Sequence, residues 1–201
     1  MANPAGSDSA VPLSLEAYVS DFTLGQNMQD LSTLKLESAQ SFVEPENASW
    51  MLFNSGDWEG ALAIASRSKD EIDAYFADLA SRNIKTRRVR VVDETITPYL
   101  WWESQVLKMR CDAGEQIRVV ATEQASSEFG SELAELLFLG EDVLYEIRYS
   151  EEGAILGALK HSDLQKIAAM RDSVERLFSA GQDFAEWFDS RLPVTPPVLP
   201  S

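Results

Sequence analysis

Between Arg87 and Val120 the chain reads RRVRVVDETITPYLWWESQVLKMRCDAGEQIRVV, and no other stretch limits the fold as much. Val89, Val91 and Val92 are β-branched and favour an extended, pleated backbone. Thr97-Pro98 is a helix start, a capping hydroxyl followed by proline at the first helical position. Tyr99, Trp102, Val106 and Met109 keep helical spacing up to Asp112-Ala113-Gly114, where the glycine can end the helix in a left-handed conformation. Ile117, Val119 and Val120 then predict a second strand. A strand, a helix of several turns and a second strand favour parallel pairing of the two strands.

The flanking segments predict a larger sheet. Residues 1–12 are small and polar and are expected to be disordered, with a short helix from Leu13 to Phe22. Leu31, Leu34, Leu36 and Phe42 do not decide between helix and strand, and Trp58 is expected in a loop bracketed by Ser55-Gly56-Asp57 and Glu59-Gly60. Ser68-Lys69-Asp70-Glu71 has the form of a capping box, followed by an apolar stripe of Ile72, Tyr75, Phe76 and Leu79 and a stop at Asn83. Ala121 to Ser131 reads as loop, and Leu133 to Leu139 as helix or buried strand. Val143–Tyr149 and Ala154–Leu159 flank a glycine-containing turn and predict a β-hairpin. A second capping box, Ser162 to Gln165, opens a helix ending at Gly181; a short aromatic segment with Phe184, Trp187 and Phe188 follows. The expected fold is α/β or α+β: a mixed central sheet holding the strand–helix–strand unit and the C-terminal hairpin, with flanking helices. A single domain over residues 13–190 would carry a proline-rich extended tail at 191–201.

Charge narrows the function. Against 17 basic residues stand 33 acidic ones, a net charge of −16. Direct nucleic-acid binding is not expected, because it needs basic patches that neutralise phosphates. No apolar run is long enough to span a bilayer and the first residues have no secretory pattern, so no membrane association and a cytoplasmic location are expected. One cysteine and one histidine leave no basis for a zinc site, and no calcium loop or phosphate-binding glycine motif occurs, so neither metal nor cofactor is expected.

RVRVV with Tyr99 and Glu103, then Ala113-Gly114-Glu115 and Ile117-Arg118, resembles an uncharacterised actinobacterial domain-of-unknown-function family. The resemblance spans roughly residues 50–190 and is most specific between Arg88 and Val120; it departs at Glu135–Gly140, where this chain has ELLFLG. It implies proteins found beside helix-turn-helix regulators, with no established activity. A fainter likeness, to a phospholipase D-like half-domain, is analogy of fold only. That chemistry uses an H-x-K-x-x-x-x-D pattern, and the sole histidine, His161, has no lysine two residues on.

Candidate site residues fall into two groups. Arg82, Lys85, Arg87, Arg88 and Arg90 form a basic island in an acidic chain, suited to an anionic small molecule or an acidic partner, or else to pairing with neighbouring acidic helices as a solvated rim. Trp101 and Trp102 point about 100° apart, so Trp102 is expected in the core and Trp101 at the edge, as an exposed anchor or covered by the N-terminal segment. Tyr99 belongs to the same surface. Glu103, Glu115 and Arg118 are singled out by the family signature. His161 is expected exposed before a helix capped by Ser162, and Cys111 is expected to be structural.

The reading that follows is a non-catalytic interaction or regulatory protein. It would bind a protein partner, a helix-turn-helix regulator by the family context, through a basic and aromatic surface. The alternative is a small-molecule-binding protein or enzyme whose site lies at the C-terminal ends of the central strands.

Overall fold

A computed structural model of the chain describes residues 10–27 and 29–197. In chain order the elements are β1 (Val11–Ser14), α1 (Leu15–Gln26), β2 (Ser32–Glu37), α2 (Ala48–Asn54), α3 (Trp58–Arg67), α4 (Lys69–Ser81), β3 (Lys85–Val92), α5 (Pro98–Ala113), β4 (Gln116–Ala121), α6 (Thr122–Phe129), β5 (Glu135–Leu139), β6 (Val143–Tyr149), β7 (Ile155–His161), α7 (Leu164–Ala180), β8 (Gln182–Asp183) and α8 (Phe184–Arg191). The strands form one mixed sheet in the order β1-β7-β6-β5-β2-β3-β4-β8. The expected α/β class holds. Strands β2, β3 and β4 are mutually parallel, with Val89 opposite Leu36 on one side and Arg118 on the other. All the other pairings are antiparallel.

The central unit forms as its residues dictate. Thr97 accepts a hydrogen bond from the Leu100 N–H at 3.0 Å, Pro98 occupies the first turn, and α5 stops at Gly114, whose φ of 123° suits glycine. The hairpin β6–β7 pairs as expected. β5 settles the ambiguous 133–139 run as strand, with all five of its residues buried.

Because side chains alternate across a strand, β2, β3 and β5 present one set to each face. Leu34, Leu36, Val89, Val91, Leu136 and Phe138 pack under α6 and α7 with Ile167, Val174 and Leu177. The opposite face meets α5 and α8 through Val92, Ile117, Val119, Leu100, Leu107, Phe184 and Trp187. On that same face Leu137, Leu139, Tyr145 and Ile147 pack against Tyr18 and Phe22 of α1.

Several sequence expectations are corrected. Of the presumed disordered start, residues 1–9 lie outside the described residues, but Val11 and Pro12 form the edge strand β1, paired with Lys160 and Leu159. Helix α1 therefore begins at Leu15, capped by Ser14. Trp58 opens α3 instead of lying in a loop, because Asp57 caps that helix by accepting from the Gly60 N–H at 2.9 Å. Ser68 makes no capping hydrogen bond: its backbone is helical, joining α3 directly to α4. The second capping box also fails as written, since Asp163 supplies the cap through the Gln165 and Lys166 N–H groups. The polar 121–131 segment contains α6, which buries only Ala125 and so lacks an apolar stripe to announce it.

Candidate functional site

The expected site residues do not form a surface. Strand β3 aims Arg88 and Arg90 at the α5 face, where they are 7% and 1% exposed, and α5 covers them with Glu103. The Arg88 Nε–H donates to Glu115 Oε1 at 2.9 Å, and Nη1 donates to Glu37. Arg90 is fully engaged: Nε donates to Glu103 Oε2 at 2.9 Å, Nη1 to the Val91 and Glu37 carbonyls, and Nη2 to the Ala39 carbonyl at 2.7 Å. Lys35 and Arg110 close the network at its margins, bonding Glu37 and Glu115. Of the five cations that read as a surface island, Arg88 and Arg90 are interior, Arg82 and Arg87 are half-buried and Lys85 is exposed. The desolvation of Arg88 and Arg90 is offset by carboxylates from β2, α5 and the turn before β4.

The electrostatics follow from this packing. Burial alone would raise the Glu37 carboxyl, but Arg88, Lys35 and Arg90 overcome it and hold the group well below the usual carboxylate range. Glu115 is likewise lowered, burial being outweighed by Arg88 and Arg110. Glu103 goes the other way: burial, reinforced by the Glu37 charge and only partly opposed by Arg90, pushes it up to about 7.

The remaining expected residues lie elsewhere. Arg87 and Arg118 face α7: Arg87 makes a bidentate pair with Glu175 at 2.6 and 2.7 Å, and Arg118 bonds Asp183 at 3.0 Å. Tyr99, Trp101 and Trp102 belong to an aromatic core shared with α2 and α3. Trp102 is buried as expected, its indole N–H donating to Ser49 Oγ at 2.9 Å and its ring stacked on Phe53. Tyr99 donates to Glu44. Trp101 is only 4% exposed, so the expected exposed anchor is corrected. The other expectation, cover from the N-terminal part of the chain, is met by Trp58, and Pro193 adds to it. His161 is buried too, with Nε2 3.2 Å from Glu146 Oε2, because it ends β7 instead of preceding a helix in solvent. Cys111 is half-buried, and burial raises its thiol pKa, consistent with a structural thiol.

An open cleft of about 750 Å³ does lie at the C-terminal ends of the parallel strands. Ser38, Ala39 and Gln40 follow β2, Asp93 follows β3 and Thr122 follows β4; opposite them stand Ser131–Glu135 and Glu146–Tyr149. Here the chain leaves β4 and returns to the far side of β2 as β5, so the cleft sits where strand order reverses. Its acidic members are Asp93, Glu132, Glu135 and Glu146, against the single cation Arg148. Glu135 is 6% exposed and held rigidly: its Oε1 accepts from the Ser38 N–H at 2.8 Å, the Ser38 hydroxyl at 2.7 Å and the Ala39 N–H at 2.7 Å. Its Oε2 is buried and has no hydrogen-bond partner. Burial, then the Glu135 charge, raises the neighbouring Tyr149 hydroxyl above its ordinary pKa, so that it stays a protonated group. The sequence signal for Glu135 was a lone carboxylate opening the otherwise apolar run ELLFL.

No group of histidine, cysteine and acidic side chains among the described residues is arranged to hold a metal ion. No described helix is long and apolar enough to cross a membrane. The mixed sheet with flanking helices, carrying an acidic cleft at its parallel strand ends, defines an α/β domain. The chain belongs to the DUF6879 family, a domain of unknown function, whose model matches residues 24–189. That match begins further toward the N-terminus than the resemblance read from the sequence. No curated protein matches the chain.

Proposed function

We propose that this protein is a non-catalytic interaction protein that receives a basic group of its partner in the acidic cleft at the ends of β2, β3 and β4. One observation carries the reading: Glu135, in the cleft wall, holds a carboxylate whose first oxygen is fixed by three donors and whose second, buried behind the wall, has none. A buried acceptor left unpaired costs about 1–3 kcal/mol, more when charged, and an ammonium or guanidinium reaching it would recover that cost. The expected basic and aromatic surface is not used, because Arg88, Arg90, Tyr99, Trp101 and Trp102 are interior. The preference for an anionic small molecule falls with it. A net charge of −16 favours a basic partner, and a helix-turn-helix regulator, cationic where it meets DNA, is such a partner in the cytoplasm.

A second reading, a small-molecule binder or enzyme at the same place, draws on the cleft's volume of about 750 Å³, within the range of ligand pockets. Calorimetric titration with an arginine-rich peptide and with spermidine, on wild type and Glu135→Gln, tests both. Peptide binding that weakens roughly tenfold in the variant and falls with salt supports the interaction protein. Spermidine binding alone transfers the site to the small-molecule reading. Equal binding by wild type and variant sinks the cleft as the site.

A further inference from the structure

Glu103, hidden under α5, is one guanidinium and one residue of backbone away from the acidic cleft. The cleft wall includes the turn after β2, where the Ser38 and Ala39 N–H groups both donate to Glu135 Oε1, at 2.8 and 2.7 Å. The interior holds the same turn as well: Arg90 Nη2 donates to the Ala39 carbonyl at 2.7 Å, and Arg90 Nε to Glu103 Oε2 at 2.9 Å. Ala39 thus has the cleft carboxylate on its N–H and the Glu103–Arg90 pair on its carbonyl. Charge links the two sides too. Tyr149 lines the cleft, and after burial the charges that raise its hydroxyl include those of both Glu135 and Glu103. Behind burial, Glu103 and Glu37 in size, the Glu135 charge acts on Arg90.

Titratable groups face Glu103 from several elements. Arg90 and Arg88 on β3 and Lys35 on β2 favour its ionised form, and Glu37 on β2 opposes it. The Tyr99 and Tyr149 hydroxyls, on α5 and β6, are held by burial above their ordinary pKa and stay uncharged. Arg88 is bound to Glu37 and Glu115, and Lys35 to Glu37, while Arg90 bonds Glu103. Burial outweighs Arg90, with Glu37 on the side of burial, and places the Glu103 carboxyl at about 7. The group therefore exchanges its proton near neutral pH. A proton there removes the counter-charge of Arg90 and adds one positive charge to the interior behind the cleft wall. It also weakens the hold on Arg90, since a charge-assisted hydrogen bond is roughly twice as strong as a neutral one.

We propose that Glu103 is a proton-binding regulator of the acidic cleft: with a proton on Glu103, the Arg90 charge behind the cleft wall goes uncompensated and the cleft holds a basic group less tightly. The inference rests on the cleft being the site where that group is received. Linkage makes the effect reciprocal, so a cation seated in the cleft drives the proton off Glu103.

The test titrates an arginine-rich peptide into the full-length chain and into Glu103→Gln by calorimetry between pH 6 and 8. Glutamine keeps the size of the protonated side chain and cannot ionise. Wild type should bind roughly fivefold tighter at pH 8 than at pH 6, the lower end of ordinary coupling between two sites. Glu103→Gln should stay near the weaker value throughout. Asp93, Glu132 and Glu146 with its His161 contact stand in both chains, so the difference between the two profiles belongs to Glu103. Superimposable profiles, with binding still weakened by Glu135→Gln, overturn the inference and leave the cleft reading in place. No binding to either chain at any pH sinks both. Should Glu103→Gln not fold, the carboxyl carbon resonance of Glu103 in wild type is followed against pH. A midpoint that falls when the peptide saturates the chain supports the inference, and one that stays in place overturns it.

Discussion

The two faces of strand β3 solve one burial problem in opposite ways. Toward α7, Val89 and Val91 lie in a core without charge, joined by Leu34, Leu36, Leu136 and Phe138. Toward α5, Arg88 and Arg90 occupy equally buried positions and are satisfied by Glu37, Glu103, Glu115 and three backbone carbonyls. An apolar face tolerates approximate packing, since hydrophobic attraction has no direction. An ionic face accepts only arrangements in which every charge meets its partner. The α5 face therefore fixes where β2, β3 and α5 stand relative to one another, while the α7 face supplies bulk stabilisation.

The largest effect expected from this contrast comes from truncating Arg90. Arg90→Ala leaves Glu103 without its partner and three buried carbonyls without a donor, while Glu37 keeps Arg88 and Lys35, and should cost about 3–5 kcal/mol. Leu36→Ala, on the apolar face, should cost about 2–5 kcal/mol by lost transfer energy and cavity. Denaturant unfolding separates the two when the partner is removed as well. Arg90→Met with Glu103→Leu should recover part of the loss, because an ion pair exchanged for apolar volume is often neutral. Recovery stays partial, since the Glu37, Val91 and Ala39 carbonyls lose their donor. Full recovery would mean that the ionic face holds no geometry of its own.

What the sequence disclosed of this arrangement depended on local signals. The Thr97-Pro98 start, the Gly114 stop, the parallel β3–β4 pair and the β6–β7 hairpin are all legible, because caps, turns and β-branched runs act within a few residues. The expectation of an arginine surface failed for a physical reason. Charged residues are exposed by default, and only partners remote in sequence, Glu37 lying 51 residues from Arg88, make their burial tolerable. One clue was present: a central parallel strand is covered on both faces, so the alternation R-V-R-V places either valine or arginine under a helix whichever register holds. Helix α6 escaped notice because a single buried alanine gives no periodicity. Glu135 stood in plain view at the head of β5, but its role depends on Ser38 and Ala39, nearly a hundred residues earlier.

The ionic face also carries a dependence on pH, set by the carboxylates buried beneath α5. Glu37 and Glu115 are lowered in the fold, so their contribution is complete above the unfolded carboxylate value near 4.3 and is lost as pH falls through the folded values. Glu103 has the opposite sign. Raised to about 7, it stays protonated in the fold while the unfolded chain ionises, so stability declines as pH climbs from about 4.3 toward 7. Urea unfolding of wild type and Glu103→Gln between pH 4.5 and 8 should therefore show the variant gaining on the wild type as pH rises. Glu37→Gln should differ from wild type less as pH falls below 4.3. Parallel curves for Glu103→Gln and wild type would place the Glu103 charge outside the fold's energetics.

The smallest effect expected belongs to the arginine next door. Arg87 sits on β3 beside Arg88 but faces α7 at the rim, with one-fifth of its side chain exposed, a bidentate bond to Glu175 and its guanidinium 5.3 Å from the Phe178 ring centre. Solvent screens such a pair, and exposed ion pairs contribute about 0–1 kcal/mol. The two-pronged geometry and the ring beneath place Arg87→Ala near the top of that range, about 1 kcal/mol. Raising the salt concentration should shrink that difference and leave the Arg90→Ala cost nearly unchanged, since a buried pair is screened little. Equal costs for the two arginines would break the distinction between the faces, because residue type would then outweigh burial. A difference of several-fold, with salt acting on Arg87 alone, would assign the specificity of this sheet to the side chains beneath α5.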